Sequence, residues 1–414
     1  MPKIDNGPPD YRLNLPPIVK ENYGKWEYHE SPRPGVLKHV GPAGALYSVR
    51  AGSPRLVSVD FIRDVCALAD KYCDGYLRFT SRNNIEFLLS DEANVEPLIE
   101  ECEAQGLPVG GTGASISNVV HTQGWVHCHT PATDASGITK AVMDDLFEYF
   151  KRDDLPNKLR IAMACCLNMC GAAHVSDIAL VGVHRTVPRI DHEAVRKSTE
   201  IPSLVACCPT AAIRPDPKNK SVTVVEERCM YCGNCYTMSP GMHIMDAKND
   251  GVAILIGGKV SNARTAPAFS RMVIPFLPNN PPRWPEVTEA VRGIVDLWIA
   301  NARKGERLGE WIERIGWERF FDLSGIPFTD KHIDDYIFSR ETFPQVRRSS
   351  TEEIDAAGPR RGRRTDRAAA SSWRSGCRCP WRRGGAIAAI LDKKGIRSCQ
   401  TTFQRTTPKP MAEG

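Results

Sequence analysis

Eight cysteines of this 414-residue chain fall into two groups whose spacing suits metal chemistry. One group is Cys229-x2-Cys232-x2-Cys235 with an upstream Cys208-Pro209, and the other is Cys165-Cys166-x3-Cys170-Gly171 with an outlying Cys128 between His127 and His129. Each supplies the four thiolates that a cubane iron–sulfur cluster needs, and the first closely follows the bacterial ferredoxin spacing. Thiolates at i, i+3 and i+6 wrap one face of a cube. The fourth iron is then reached from a Cys-Pro after a hydrophobic strand, which selects Cys208 and leaves Cys207 either buried or facing the other side. A zinc knuckle would also accept four thiolates, but zinc ribbons favour two separated C-x2-C pairs over three consecutive cysteines. In the other group, Cys165 and Cys166 reach one cluster only if the backbone turns sharply, as Gly171 allows; otherwise one of them is a plain buried thiol.

Composition sets the frame around these cysteines. A chain that is 42% hydrophobic and 25% charged is an ordinary globular protein long enough for two or three domains. The first twenty residues carry neither a signal-peptide pattern nor a twin-arginine pair, and no apolar run approaches 18 residues. A cytoplasmic protein without a membrane span is therefore expected, and close C-x2-C spacing there reads as metal binding rather than a disulfide framework. The net charge of +5 is a property of the tail: residues from Thr351 onward contribute +8 and the rest of the chain about −3. That tail (346–414) has an Arg- and Gly-rich composition that fits disorder or out-of-frame sequence, so no function is built on Cys377, Cys379 or Cys399. It lacks the aromatic interleaving of a nucleic-acid module, and no nucleic-acid partner is expected.

The elements that must position the cysteines follow from periodicity. Residues 1–41, rich in Pro, read as an extended arm. A strand around Leu46–Val49, an amphipathic helix over Val59–Tyr72, strands at Gly75–Thr80 and Ile85–Leu89 and a helix over Val95–Gln105 make a βαββα unit (42–112), half of a ferredoxin-like α/β sandwich. A helix over Ile138–Phe150, a strand over Lys158–Met163 aimed at Cys165 and a strand over Asp177–Val183 belong to a second unit, 113–198 and 254–345, closed by a long helix from Val287 to Lys304. Between its halves, 199–253 form a small ferredoxin-like insert. The fold class is α+β.

Two segments add identity to this outline. Lys158-Leu-Arg160-Ile-Ala-Met-Ala-Cys-Cys-Leu-Asn-Met-Cys-Gly resembles the stretch in the sulfite and nitrite reductase superfamily where two cations lead into the cysteines of a sirohaem-coupled cluster. Arg78-Phe-Thr-Ser-Arg82 resembles that superfamily's R-x-T-x-R strand. Together with Gly124-Trp-Val-His-Cys-His and the insert, the chain over about 1–345 is similar to the beta-subunit family of dissimilatory sulfite reductases. The lone Cys128 and the Cys165-Cys166 doublet match this branch rather than the C-x5-C pattern of assimilatory enzymes. No counterpart exists for a further superfamily arginine at Ser117-Asn-Val-Val-His121, so some substrate contacts are expected from a partner subunit.

The resemblance implies a six-electron interconversion of sulfite and the sulfide level at sirohaem, with two [4Fe–4S] clusters. Arg78, Arg82, Lys158 and Arg160 would serve catalysis, and Arg78, Arg82, Lys259 and Arg264 would neutralise sirohaem carboxylates. Cys170 would bridge the sirohaem iron and the cluster held with Cys128, Cys165 and Cys166, while Cys208, Cys229, Cys232 and Cys235 would hold the electron-input cluster. Partners would be an alpha subunit in an α2β2 assembly and a small cysteine-bearing sulfur carrier. His127 and His129 would donate protons or hydrogen-bond a propionate. Nitrite reduction, or electron transfer without substrate chemistry, are the alternatives; the second leaves Arg78, Arg82 and the Cys128–Cys170 group without a role.

Overall fold

The computed structural model describes residues 9–260, 265–329 and 332; Arg264 and the basic tail lie outside them. After a short helix α1 (Pro17–Glu21), strands β1 (Tyr28–Arg33), β2 (Val36–Gly41) and β3 (Gly44–Gly52) run as an antiparallel meander. Helix α2 (Val59–Tyr72) follows, capped by the Ser58 hydroxyl, then β4 (Leu77–Phe79), β5 (Asn84–Leu89) and α3 (Val95–Ala104). The sheet order is β1-β2-β3-β5-β4. The extended arm expected over 1–41 is thus corrected, because residues 28–41 supply two strands of this sheet. Strand β1 is exposed along most of its length, which hides the alternation by which a half-buried strand is recognised.

Alternation does sort the two faces of the sheet. Val49, Ala51, Ile85, Phe87 and Leu89 pack against Val65, Leu68 and Ala69 of α2 and Leu98 and Cys102 of α3. The opposite face carries His39, Ser48, Arg50, Glu86 and Arg78, with Glu86 in register with Arg50 on one side and Arg78 on the other. Polar groups therefore cross the sheet at one level.

The second unit begins with β6 (Ala114–Ile116), β7 (Val120–His121), α4 (Ala135–Asp145), α5 (Phe147–Phe150), β8 (Asp154–Leu159) and β9 (Ile161–Ala164). The strand expected over Lys158–Met163 is broken at Arg160, and the two pieces join different sheets, β8 beside β6 and β9 between β7 and β10. Arg160 donates its backbone N–H to Asp177 Oδ2 at 2.7 Å instead of to a ladder. Strand β10 (Ile178–Val183) leads to the insert. There β11 (Arg189–Ile190) pairs with β14 (Met242–His243), enclosing α6 (His192–Ser198), α7 (Ile201–Ala206), the hairpin of β12 (Ile213–Asp216) and β13 (Ser221–Val224), and α8 (Asn234–Met238). Val195 of α6 sits in the insert's own core with Leu204, Ile213, Val222 and Met242, so the insert opens near Arg189 rather than at 199. The apolar run before Cys208 is the helix α7, not a strand.

Strand β15 (Gly251–Ile256) then returns between β10 and β16 (Arg271–Pro278), completing the sheet β16-β15-β10-β9-β7. Its start at Gly251 places 251–253 in this sheet and not in the insert. Helices α9 (Pro285–Asn301), α10 (Leu308–Ile315) and α11 (Trp317–Ser324), with α4, cover one face through Ile161, Met163, Leu180, Ile254, Trp298 and Trp311. The other face is paved with Ala162, Ala164, Ala179 and Ala253, and Leu167 and Met169 of the Cys165–Cys170 loop lie on it. Small side chains there let the loop approach the sheet.

Candidate active site and cluster-binding loops

Strands β7, β9 and β10 are parallel, and their carboxyl ends deliver Thr122, Cys165 and His184 to one edge of the sheet. Cys165 donates its backbone N–H to Thr122 Oγ1 at 2.9 Å, which fixes the first cysteine of the doublet. The sharp turn expected after it is present, since Met169, Gly171 and Ala172 all take left-handed φ values of 47°, 78° and 53°. Two non-glycine residues in that region mark a loop shaped for function rather than for economy. Cys165 and Cys166 are both buried. The Cys165 thiol donates to the Cys166 sulfur, which holds Cys166 down to about 7 and pushes Cys165 up. Cys128 faces Cys165, and Cys170 stands exposed on the loop.

Gly182 of β10 sets how close the doublet lies to the sheet. A Cβ on that residue would stand 2.2 Å from the Cys165 carbonyl oxygen, a backbone-to-backbone clash that no rotamer relieves.

In the insert, Cys208, Cys229, Cys232 and Cys235 line a single small recess, together with Pro188 and Thr210. Cys207 is turned away, its thiol donating to the Leu204 carbonyl at 3.0 Å, whereas Cys208 Sγ accepts the Ala212 N–H at 3.2 Å. Burial pushes the Cys229 thiol up to about 11 and Cys235 up to about 12. As free groups they would stay protonated; a bound metal is what converts such thiols into ligands. Among the described residues no three Cys, His or acidic side chains could hold a single metal ion, as a tetrahedral zinc site with sulfur at ~2.3 Å would demand. If the ferredoxin-type cluster expected from the spacing sits in this recess, Cys208→Ala should remove its iron and acid-labile sulfide while Cys207→Ala leaves both in place; equal loss in the two variants would reverse the assignment.

The cations gather at the other end of β9. Arg82 donates to the carbonyls of Asn118 (3.3 Å) and Ile161 (3.2 Å), clasping the first unit to the second. Burial and the neighbouring Arg160 lower its pKa to about 10. Arg160 and Lys158 are likewise lowered, by burial first and then by Arg307. Asp177 is the anion they face, but its carboxylate is gripped by the Arg307 guanidinium through Nε at 2.9 Å and Nη2 at 2.5 Å. Among the described residues neither the Lys158 ammonium nor the Arg160 guanidinium has a hydrogen-bond or ion-pair partner. Arg78 is 61% exposed and bound to Glu86. Burial pushes Glu86 up, yet Arg50 and Arg78 together outweigh it and hold the carboxyl below its ordinary value.

The matched segments agree with this layout. Residues 112–331 match the family described as the nitrite and sulphite reductase 4Fe-4S domain, and residues 39–105 match the nitrite/sulfite reductase ferredoxin-like half domain. The dissimilatory-type sulfite reductase subunit beta of Archaeoglobus fulgidus is 55% identical over 84% of this chain and 97% of its own length. The chain belongs to the dissimilatory-type sulfite reductase beta subunits.

A second member of this beta-subunit family, from Nitratidesulfovibrio vulgaris, is 53% identical over 80% of the chain and 91% of its own. Weaker likeness, at 24–30% identity, extends to dissimilatory-type alpha subunits. The solved structure of dissimilatory sulfite reductase I superposes with a TM-score of 0.70, covering 77% of this chain and 81% of the other at 20% identity, and shows the same fold. No helix among the described residues is long and apolar enough to cross a membrane.

For this beta-subunit chain the structure gathers Arg82, Lys158 and Arg160, with Arg50 near Arg160, while Arg78 shares Glu86 with Arg50 on the adjoining sheet face. It does not bring Lys259 to an open site. That side chain is 2% exposed, donates to the Thr265 carbonyl at 3.0 Å and to its hydroxyl, and lies 3.6 Å from Glu310 Oε1. Burial with an anionic partner replaces the expected role at a sirohaem carboxylate. His127 and His129 are exposed, and His129 stacks on Tyr236 of the insert with centroids 6.5 Å apart, so neither joins the cations. Arg50, Asp177 and Arg307 were not singled out in the sequence. The signal for Arg50 is its register with Glu86, which a linear reading cannot see. His39 lies on the same sheet face, its Nδ1 2.7 Å from that of His29, and burial and His29 hold it below the ordinary imidazole value.

Proposed function

We propose that this chain reduces or re-oxidises sulfur at the sulfite–sulfide level within a dissimilatory sulfite reductase, using sirohaem and two [4Fe–4S] clusters. In the reductive direction, bisulfite takes up six electrons and six protons and yields hydrosulfide and three waters. Sirohaem joined to a cluster would supply the electrons and bind the sulfur atom of the substrate. The observation that carries the reading is the pair of half-buried cations, Lys158 and Arg160, that have no hydrogen-bond or ion-pair partner among the described residues, the nearby Asp177 carboxylate being held by Arg307. Buried charge without a partner is costly, and the lowered pKa values of both groups express that cost. An anion placed between them relieves it.

The residues divide the work. Arg82 fixes the strand turn against Ile161, so the cations stand on backbone rather than on mobile loops. Lys158 and Arg160 orient the oxyanion and stabilise negative charge as it builds up. Cys128, Cys165, Cys166 and Cys170 would hold the sirohaem-side cluster, with Cys170 as the shared ligand, because it alone of the four is exposed on its loop. Cys208, Cys229, Cys232 and Cys235 would hold the input cluster. An electron carrier without substrate chemistry gives no reason for Lys158, Arg160 or Arg82. The kinship with alpha subunits supports an alpha–beta assembly, which we take to be α2β2 in the cytoplasm, with a small cysteine-bearing sulfur carrier as the further partner.

The test is a purified complex co-expressed with an alpha subunit. Iron and acid-labile sulfide equal to two cubanes per beta chain, a sirohaem Soret band and sulfite-dependent oxidation of a reduced dye are expected. A complex with the clusters but without sirohaem would sink the enzymatic reading.

A further inference from the structure

We propose that Thr130 is a positioning residue that couples the two cluster sites, its hydroxyl held on the cysteine sulfurs of one and its methyl against the backbone of the other. The inference rests on the cofactor reading above. Thr130 is 1% exposed. Its Oγ1 lies 3.8 Å from Cys166 Sγ, and its hydroxyl and backbone N–H both face the Cys128 sulfur. On its other side stands the insert: a Cβ built on Gly233 would lie 3.2 Å from Thr130 Cγ2. Gly233 follows Cys232 directly, turns the chain with a left-handed φ of 73° and opens the helix that carries Cys235. One side chain thus faces Cys166 of the sheet loop, Cys128 of its own segment and the Gly233 turn between Cys232 and Cys235 of the insert.

Thr130 is also anchored. His184 Nε2 lies 3.3 Å from the Thr130 carbonyl oxygen, and His184 Nδ1 lies 2.8 Å from Asp250 Oδ2. Asp250 in turn accepts the backbone N–H groups of Arg185 and Asp246. Two residues on, Asn279 Nδ2 donates to the Ala132 carbonyl at 2.9 Å. A segment held this firmly keeps the separation of the two sites constant, which a path for electrons requires. In each transfer one electron leaves the group held by Cys208, Cys229, Cys232 and Cys235 and arrives at the group held by Cys128, Cys165, Cys166 and Cys170. No bond forms or breaks, and a low-potential one-electron donor refills the first group.

Hydrogen bonds to the sulfurs are among the features that set a cluster's potential. A donated hydrogen bond stabilises the more negative, reduced state, so the Thr130 hydroxyl raises the potential of the sirohaem-side cluster. The experiment uses the holo-complex and EPR-monitored redox titration, with rapid-mixing measurement of electron passage between the clusters. Thr130→Val keeps the shape and the methyl; it should shift the sirohaem-side cluster to a more negative midpoint and leave the input cluster unmoved. Thr130→Ser keeps the hydroxyl; it should restore the midpoint but slow the passage of electrons from the input cluster. Unchanged midpoints in Thr130→Val with both clusters loaded, or wild-type passage in Thr130→Ser, would overturn the proposal. Absence of either cluster from the unmodified complex overturns the cofactor reading instead.

Discussion

Arg160→Met should lower sulfite turnover by about 10²-fold or more, the scale seen when one preorganised donor to a developing oxyanion is lost, with iron, sulfide and sirohaem content unchanged. The side chain has no partner among the described residues, so its removal breaks no contact that the fold depends on. Its backbone N–H still donates to Asp177 in the variant, and β9 keeps its register with β10. Lys158→Met should act in the same direction. If the two cations hold one anion, the double variant will lose less than the product of the single losses, since neighbouring groups that share a ligand are not additive. The assay is steady-state oxidation of a reduced dye against sulfite concentration. A turnover number within twofold of the unmodified enzyme would remove Arg160 from the active site.

Asp177→Ala should be the most destabilising single change at the site, by about 3–5 kcal/mol, the range found when a buried ion pair is broken by removing one partner. Asp177 is fully buried, and the arginine it binds is the residue that opens α10, its backbone N–H donating to Glu310 Oε2 at 2.9 Å. The same carboxylate accepts the Arg160 N–H. The change therefore loosens the junction of α10 with the β9–β10 pair and frees a third cation to repel Lys158 and Arg160. Chemical denaturation of the purified complex measures the loss, and a change below about 1 kcal/mol would mean that solvent reaches Arg307, so that the pair counts as a surface salt bridge.

How far the sequence reveals this molecule depends on where its signals are local. Helix α2 is read over its full length, Val59–Tyr72, because its apolar residues recur on one side. Helix α7 is misread as a strand because a mostly apolar six-residue segment carries too little periodicity to separate the two. Strand β1 is missed because it is solvated along most of its length. At the site, the cysteines and the Lys158–Arg160 pair announce themselves by type and spacing. The choice of Cys208 over Cys207 follows from Pro209, and Cys208 lines a recess with Cys229, Cys232 and Cys235. Arg50, Asp177, Arg307 and Thr130 emerge only when strands and loops far apart in the chain are brought together, since each matters through its neighbours in space. Lys259 shows the converse: a cation in a suggestive segment whose buried position beside Glu310 gives it structural work.

Gly182 has no side chain and so no chemistry, yet the Cys165 peptide rests against it. Adjacent strands lie at a spacing fixed by backbone hydrogen bonds, and the absent Cβ converts that spacing into the height of the cysteine doublet above the sheet. The fold thus works as a gauge, in which a missing methyl on one strand sets a tolerance on the next. Any side chain at this one position would press on the Cys165 peptide and lift the doublet from the sheet, so the same missing methyl serves the packing of β10 and the placing of the cysteines.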